Sequence, residues 1–572
     1  MDDFYGNDEP NPEAGLVAQS LNFLLEAPSA VWVTIALAPI LVIIATRIFS
    51  GYASRKASNY SDSVNTVPMI PYWIPFVGHG WQFLMDPVRL LREARSQTQH
   101  GIYALNLGSK TYNVIYDPAM VKAALQQKES TLQLTPMALS LVVKVFGVPK
   151  QALPKYEAAW DEFVALSNYL LKEPHLSNML KVTARSVENM VPKMISFTDR
   201  EIDLQPWERH GRANFVSENE MEVDLMAMLR DLLGHAAVAG VFGKSLLEKY
   251  PNILHDVYEL ETGMIYFAMG VPAWIPFPGV VGPHLARRRL WTAMDEFQRA
   301  LDADFAGNPD PMWGDLDDVS EFIMERHKVY QKYNIEVKER ADLTVLWALL
   351  INSNLLVYWH LLHILATPGL VDRLRTEIAP FTQVAKPFSI GSFSEAPKLN
   401  LDHEGLAKKC PLFKSTYLEA LRMCDQPWSI RTVASDLVLS TSNTSDTASS
   451  FKIHKGDFIK IPHELHMHNP VYFPDPSSFN PERFLVRADD GSLTTDMGTI
   501  RPYGGGASMC KGRIFAESEC LALVAGVLMM WEFEPAGTTG WMIPKLKKAS
   551  AVSLPEVDTR VRIRRRRFEW DE

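Results

Sequence analysis

The feature that most limits how this chain can fold is Ala27–Thr46 (APSAVWVTIALAPILVIIAT), twenty consecutive residues without a charged side chain. As a helix rising about 1.5 Å per residue, it measures roughly 30 Å, the thickness of bilayer hydrocarbon. No Lys or Arg precedes it, whereas six acids do: Asp2, Asp3, Asp8, Glu9, Glu13 and Glu26. Arg47, Arg55 and Lys56 follow it. A cleavable signal peptide begins with a positive region, and this one does not. The reading is a single membrane anchor over 27–46, kinked at Pro39, with a short lumenal tail over 1–26. The positive flank places everything after the anchor in the cytosol.

Residues 47–78 read as linker and hinge. Gly51–Thr66 is polar, and Val67–Gly78 (VPMIPYWIPFVG) carries three prolines. Each proline fixes its own φ and drives the preceding residue toward extended backbone, so this run is stiff. It can hold the body, residues 79–572, at a set angle to the anchor. A net charge of −10 argues against nucleic acid as a partner. Cys410, Cys424, Cys510 and Cys520 are the only cysteines in 572 residues, too few for a disulfide framework. A cysteine that matters here matters through chemistry.

Within the body, helical periodicity dominates Trp81–Ser96, Met137–Met179, Glu220–Gly240 and Leu285–Phe305. Short β-like runs occur at Tyr103–Leu107, Asn113–Tyr116, Asp436–Leu439 and Phe458–Ile461. Thr441–Ser450 reads as a loop, and its Asn443-Thr444-Ser445 sequon goes unused on a cytosolic body. Leu343–Ala366 has no Asp, Glu, Lys or Arg and is long enough to span a bilayer. Its Asn352, Ser353 and Asn354 would face lipid without partners, so a helix through the core of a large domain is expected instead. Gly263–Gly282 contains too many glycines and prolines for a continuous helix. It reads either as an apolar loop dipping into the membrane interface, with Arg287, Arg288 and Arg289 at headgroups, or as an ordinary buried loop. Arg560–Arg567 alternates arginine with Val561 and Ile563, which fits a strand with one solvated face.

The densest signal is Arg501–Arg513 (RPYGGGASMCKGR). Its glycines imply unusual backbone and close approach to another group. Cys510 ends the loop, and a helix is expected over Ile514–Trp531. Backbone N–H groups at a helix start, with Lys511 and Arg513, favour a thiolate. From the residues alone, Cys510 can be a structural cysteine, a nucleophile or a metal thiolate. A zinc site lacks the further ligands it needs. A lone thiolate on a glycine loop suits an axial position of haem iron, with N–H groups tuning the sulfur.

Here the sequence resembles the cytochrome P450 superfamily. Tyr503, Gly506, Cys510 and Gly512 match its aromatic-x-x-Gly-x-x-x-Cys-x-Gly loop, with tyrosine where phenylalanine is common. Glu419-Ala420-Leu421-Arg422 resembles the Glu-x-x-Arg helix, and Pro481-Glu482-Arg483-Phe484 the element that supplies a second arginine. The resemblance implies a mostly α fold with small β-sheets, plus the one N-terminal transmembrane helix. It implies that Cys510 is the axial ligand of haem b and that Glu419, Arg422 and Arg483 form a structural salt-bridge triad. Arg431 matches a haem-propionate contact. Ser508 stands where the family often has a basic residue, a role that falls to Arg501.

The central helix reads Trp347-Ala348-Leu349-Leu350-Ile351-Asn352-Ser353-Asn354, with Trp359 beyond. Its tryptophan spacing is similar to the branch of sterol 7α- and 12α-hydroxylases and prostacyclin synthase. In that register Asn352 replaces the usual acid, Ser353 the threonine and Leu350 a glycine, which narrows the oxygen groove. A slipped register makes Asn354 the counterpart. Asn352 and Ser353 are the candidate catalytic residues. An amide cannot shuttle a proton as a carboxylate does, but with water it can orient a relay. Pocket segments are expected at Thr135–Gly147 and Gly263–Gly282, with Ala348–Ser353.

The resemblance thus implies a monooxygenase in the endoplasmic reticulum membrane. It would hydroxylate a lipophilic terpenoid, steroid-like or polyketide intermediate, as fungal natural-product enzymes of the family do. Its partners would be membrane lipid and NADPH–cytochrome P450 reductase, which delivers the NADPH electrons, with cytochrome b5 as a further donor. The alternative is an isomerase or dehydratase of the same fold that needs neither O2 nor reductase. A third is a haem-binding membrane protein without catalysis.

Overall fold

The computed structural model describes residues 29–58, 64–98, 100–314, 316–390, 393–441, 449–537 and 540–568. The acidic tail, Ala27, Pro28 and the Asn443 sequon lie outside the described residues. A helix spans Ser29–Ser58 with Pro39 inside it. Its apolar stretch is long enough to cross a membrane and is not buried against the body. The helix runs on through the first half of the segment expected to be a polar linker, because Ala53, Arg55, Lys56 and Ala57 are good helix formers. Ser50 ties the helix to the proline-rich run: its hydroxyl donates to the Tyr72 carbonyl and accepts from the Tyr72 N–H, each at 3.1 Å.

The body is mostly helical, with small sheets. Leu343–Ala366 is its central helix, and from Ile351 on its side chains are almost all buried. No proline or glycine interrupts it, and Pro368 with Gly369 (φ +70°) ends it. It packs on Leu225–Val241, Pro411–Cys424 and Arg513–Met530 in one hydrophobic core. Length and composition alone could not separate this helix from a second membrane span; burial does.

Several periodic stretches are cut more finely than the pattern suggests. Trp81–Ser96 is two helices, Gly80–Met85 and Pro87–Ser96, split where Pro87 starts a new one. Met137–Met179 spans Thr135–Lys144, Leu153–Leu166 and the start of His175–Met190, broken around Gly147, Pro149 and Pro174. Glu220–Asp224 is a strand, and the helix begins only at Leu225. That strand pairs antiparallel with Arg560–Arg565, whose Val561 and Ile563 are fully buried. The segment Gly263–Gly282 holds a short helix, Met264–Met269, and the start of Pro278–Phe305. Between them Trp274 is 80% exposed.

The sheet that matters for the site has five strands, in the order Ile102–Leu107, Lys110–Ile115, Phe458–Pro462, Trp428–Val433, Leu132–Gln133. Arg431 pairs with Ile459 in it. This register brings the residues just after the Pro411–Cys424 helix beside the cysteine loop.

Candidate active site

The Arg501–Arg513 loop is closed by its own backbone. The Cys510 N–H donates to the Tyr503 carbonyl at 3.0 Å, and Arg513 Nη1 donates to the Cys510 carbonyl at 2.8 Å. The Tyr503 hydroxyl bonds the buried Tyr417 hydroxyl at 2.7 Å. Gly506 has φ +68°, and a Cβ there would collide with the Leu125 carbonyl, so only glycine fits. Gly512 precedes the helix Arg513–Met530.

Cys510 is the one exposed cysteine; Cys410, Cys424 and Cys520 are buried, and all four are free. Its sulfur is accessible yet walled by protein. Desolvation pushes the thiol up, while the Gly512 and Arg513 N–H groups and the Arg513 charge pull it down. The helix-start N–H groups and Arg513 thus act toward the thiolate as expected, and Lys511 is not among the groups that do. Desolvation outweighs them, and it takes a cation at the sulfur to reverse the balance.

Arg431 and Arg501 stand beside the loop. Arg431 Nη2 donates to the Ser508 hydroxyl, so the serine at the usually basic position is tied to an arginine from the sheet. Arg501 Nη1 donates to the Ile500 carbonyl at 2.9 Å. His463, bonded to the Ser429 hydroxyl at 2.9 Å, is held neutral down to about 3 by burial and by both arginines.

Glu419, Arg422 and Arg483 come together. Arg422 grips Glu419 with two bonds, Nε to Oε2 at 2.8 Å and Nη2 to Oε1 at 2.9 Å. Arg483 Nε adds bonds of 3.0 and 3.1 Å to the same carboxylate. Glu419 and Arg422 are completely buried. Arg422 also holds the Met467 carbonyl, and Arg483 the Pro474 carbonyl, so the guanidinium donors are used.

On the central helix Ala348 is exposed, Leu349 and Asn352 are half-buried, and Ser353 is buried. Leu350 packs completely into the core, so it narrows no open groove; the accessible position on this stretch is Ala348. Asn352 Oδ1 accepts from the Val552 N–H at 3.2 Å. The Ser353 hydroxyl donates to the Leu349 carbonyl at 3.3 Å. Asn354 turns away and donates to the Arg230 carbonyl at 2.8 Å, which makes it a packing residue. Two buried carboxyls near this face carry no motif. Glu261 accepts from Trp347 Nε1 at 2.8 Å. Glu519, pushed up to about 8 by burial, faces the Ser353 hydroxyl with Oε2 unpartnered. Its place nine residues after Cys510 on the helix leaving the loop was the available signal.

Comparison with known proteins completes this description. Residues 343–562 match the family model for cytochrome P450. The chain is 26% identical to the cytochrome P450 monooxygenase poxD of Penicillium oxalicum, over 81% of this chain and 86% of the relative. It is 23% identical to cytochrome P450 7B1 of Mus musculus, over 82% and 84%. It is 22% identical to the 7-alpha-hydroxycholest-4-en-3-one 12-alpha-hydroxylase of Oryctolagus cuniculus, over 81% and 85%. Over residues 343–562 the chain thus matches cytochrome P450, and relatives that align with about four-fifths of it are named cytochrome P450 monooxygenases.

The family implies haem iron and a redox partner. The residues present fit such a group. A soft thiol is exposed beside exposed Gly506 and Ala507, N–H groups are aimed at its sulfur, and a Cβ at Gly512 would meet nothing within 4 Å. Arg431 and Arg501 supply positive charge suited to carboxylates at the edge of a flat cofactor.

Proposed function

We propose that this chain is a membrane-anchored haem-thiolate monooxygenase that oxidises a lipophilic terpenoid, steroid-like or polyketide intermediate in natural-product biosynthesis. The observation that carries the proposal is the Cys510 loop: one accessible thiol in a backbone-locked glycine turn, with helix-start N–H groups directed at sulfur. Haem b held there supplies dioxygen activation, using NADPH electrons delivered by cytochrome P450 reductase or cytochrome b5. The remaining roles belong to this chain. Cys510 would hold the iron through its sulfur, Tyr503, Gly506 and Gly512 shape its loop, and Arg431 and Arg501 would neutralise the carboxylates of the cofactor. Glu419, Arg422 and Arg483 fix the core behind the loop. Ser353 and Asn352 orient water and the reacting group on the opposite side.

The lipophilic substrate is supported by the sterol in the name of the Oryctolagus cuniculus 12-alpha-hydroxylase and by the apolar, half-buried helix Thr135–Lys144. Residues 27–46 anchor the enzyme in the endoplasmic reticulum membrane as a single pass, 47–78 form the hinge, and 79–572 form the cytosolic catalytic domain. Exposed Trp274 and Phe277, followed by Arg287–Arg289, make a second contact with lipid. A carbon-monoxide difference spectrum of the reduced protein tests the assignment. Wild type gives the red-shifted Soret band of thiolate ligation, and Cys510→Ala loses it. A band that survives the substitution, or is missing from wild type, sinks the proposal. Product formation that depends on reductase and O2 then separates oxidation from isomerisation.

A further inference from the structure

The anchor helix and the proline-rich run enclose an open cleft of about 520 Å³, remote in sequence from the Cys510 loop. Small-molecule sites usually measure about 300–1,000 Å³. One wall is the helix itself. Val42, Ala45, Thr46 and Phe49 line the cleft at the i, i+3, i+4, i+7 spacing of a single helix face. The opposite wall is Phe76 together with Asn106 and Ser109 from the turn after Ile102–Leu107. That wall is built in advance of any ligand. Ser109 Oγ donates to the Phe76 carbonyl at 3.2 Å, and the His79 N–H donates to the Asn106 carbonyl at 2.7 Å. Phe76 stands at φ +60°, a conformation its neighbours must impose, and its side chain is 81% exposed. Ser50 fastens the two walls through its bonds to Tyr72.

The cleft changes character along the helix. The uncharged run ends at Thr46. Val42 and Ala45 therefore lie at the level of bilayer hydrocarbon, and Ser50 and Tyr72 at the level of headgroups. From Val42 to Ser50 the helix rises about 12 Å, so the cleft bridges the two levels. None of the residues that line it is charged. Arg47 flanks the polar end, half-buried, with its guanidinium 5.3 Å from the Trp73 ring centroid. Exposed Phe49, Trp73 and Phe76 surround the mouth, as aromatic rings do at a membrane surface.

We propose that this cleft binds one phospholipid molecule, with an acyl chain against Val42, Ala45 and Phe49 and the phosphate toward Arg47. This rests on the reading of residues 27–46 as a membrane anchor. The gradient from apolar to polar matches an acyl chain leading to its ester groups, and the cation beyond matches the phosphate. The lipid fills the space between the anchor and the body. It therefore acts as a wedge that fixes the angle at which the body meets the membrane.

Native mass spectrometry of the full-length protein, extracted in mild detergent and supplied with phosphatidylcholine, tests the site. One phospholipid per chain is expected to stay bound after the detergent is stripped away. Ala45→Trp fills the cleft and loses that lipid. Ile44→Trp places the same ring on the far side of the helix and keeps it. Arg47→Gln binds phosphatidylcholine about two- to fivefold more weakly, the scale of one partly exposed ion pair. Diacylglycerol, which has no phosphate, binds wild type more weakly by the same factor and does not distinguish Arg47→Gln from wild type. Far-UV circular dichroism and haem content check the fold of each variant. The site is overturned if wild type retains no lipid, if Ala45→Trp retains as much as Ile44→Trp, if Arg47→Gln binds as wild type does, or if cholesterol is held in preference to phosphatidylcholine. Alkaline carbonate extraction of vesicles carrying the wild-type chain separates this from the anchor. A chain that washes off overturns the anchor and the site with it; a chain that stays but fails the lipid test overturns the site alone.

Discussion

Replacing Glu419 with alanine removes the carboxylate that accepts from Arg422 Nε and Nη2, Arg483 Nε and the Asn480 N–H. Arg422 is completely buried and the Arg483 side chain is 11% exposed, so two guanidinium groups lose their counter-charge away from water. Removing one partner of a buried pair costs about 3–5 kcal/mol, because the other charge stays buried. Two stranded arginines put the expected loss near the top of that range. Bonds from Arg422 to Met467 and from Arg483 to Pro474 remain, which keeps the estimate from doubling. Against a total stability of about 5–15 kcal/mol, this removes at least about a third of it, and the haem-loaded fraction is expected to fall with it. Glu482→Ala supplies the control in the same segment. Glu482 pairs with Arg373 at 2.5 Å, but both side chains are half exposed, and such pairs contribute about 0–1 kcal/mol. Urea unfolding followed by far-UV circular dichroism, with haem content measured on the same samples, gives both losses. If Glu419→Ala costs no more than Glu482→Ala, the argument from buried charge is wrong.

Two further outcomes follow from the geometry. Gly506→Ala must fit a Cβ against the Leu125 carbonyl at φ +68°, so the haem-loaded fraction is expected to fall several-fold at equal total protein; wild-type loading would refute the close approach. His360 is fully buried, bonds Thr416 at 2.8 Å, and is pushed down to about 3 by desolvation. Its folded value lies below its unfolded one, so the unfolded chain takes up the proton first as pH falls below about 6.5. Stability is therefore lost as pH drops from about 6.5 toward 3, by about 1.4 kcal/mol per pH unit from this one group. His360→Phe is expected to flatten the acid limb of a stability–pH profile by that slope, and an unchanged slope would show that His360 is not held neutral.

What the sequence disclosed was local or was written as a motif. The Cys510 loop, the long central helix and the alternating C-terminal strand each state their structure within a few turns of chain. The misreadings share a different cause. Glu220–Asp224 looked helical because its pattern merges with the helix that follows; its strand character comes from Arg560–Arg565, a partner near the far end of the chain. Leu350 was assigned to a groove by position in a motif, whereas its burial depends on which neighbours the helix meets. Glu519 sat in a readable place, but nothing nearby in sequence says that its carboxyl lacks a counter-ion.

The segment 548–553 shows why the polarity of the site could not be read in advance. The motif comparison supplies Asn352 as a residue, but an amide has a donor end and an acceptor end, and which one faces the reacting space is a question of partners. The Val552 backbone N–H can only donate, so it takes Asn352 Oδ1 and leaves Nδ2 as the free end. If Asn352 has the proposed role, position 352 offers a hydrogen-bond donor, where a carboxylate would be an acceptor or a proton carrier. The same few residues bring Ser550 to Glu261, the carboxyl that holds Trp347. A stretch without any recognisable motif thus sets the hydrogen-bonding character of the central helix.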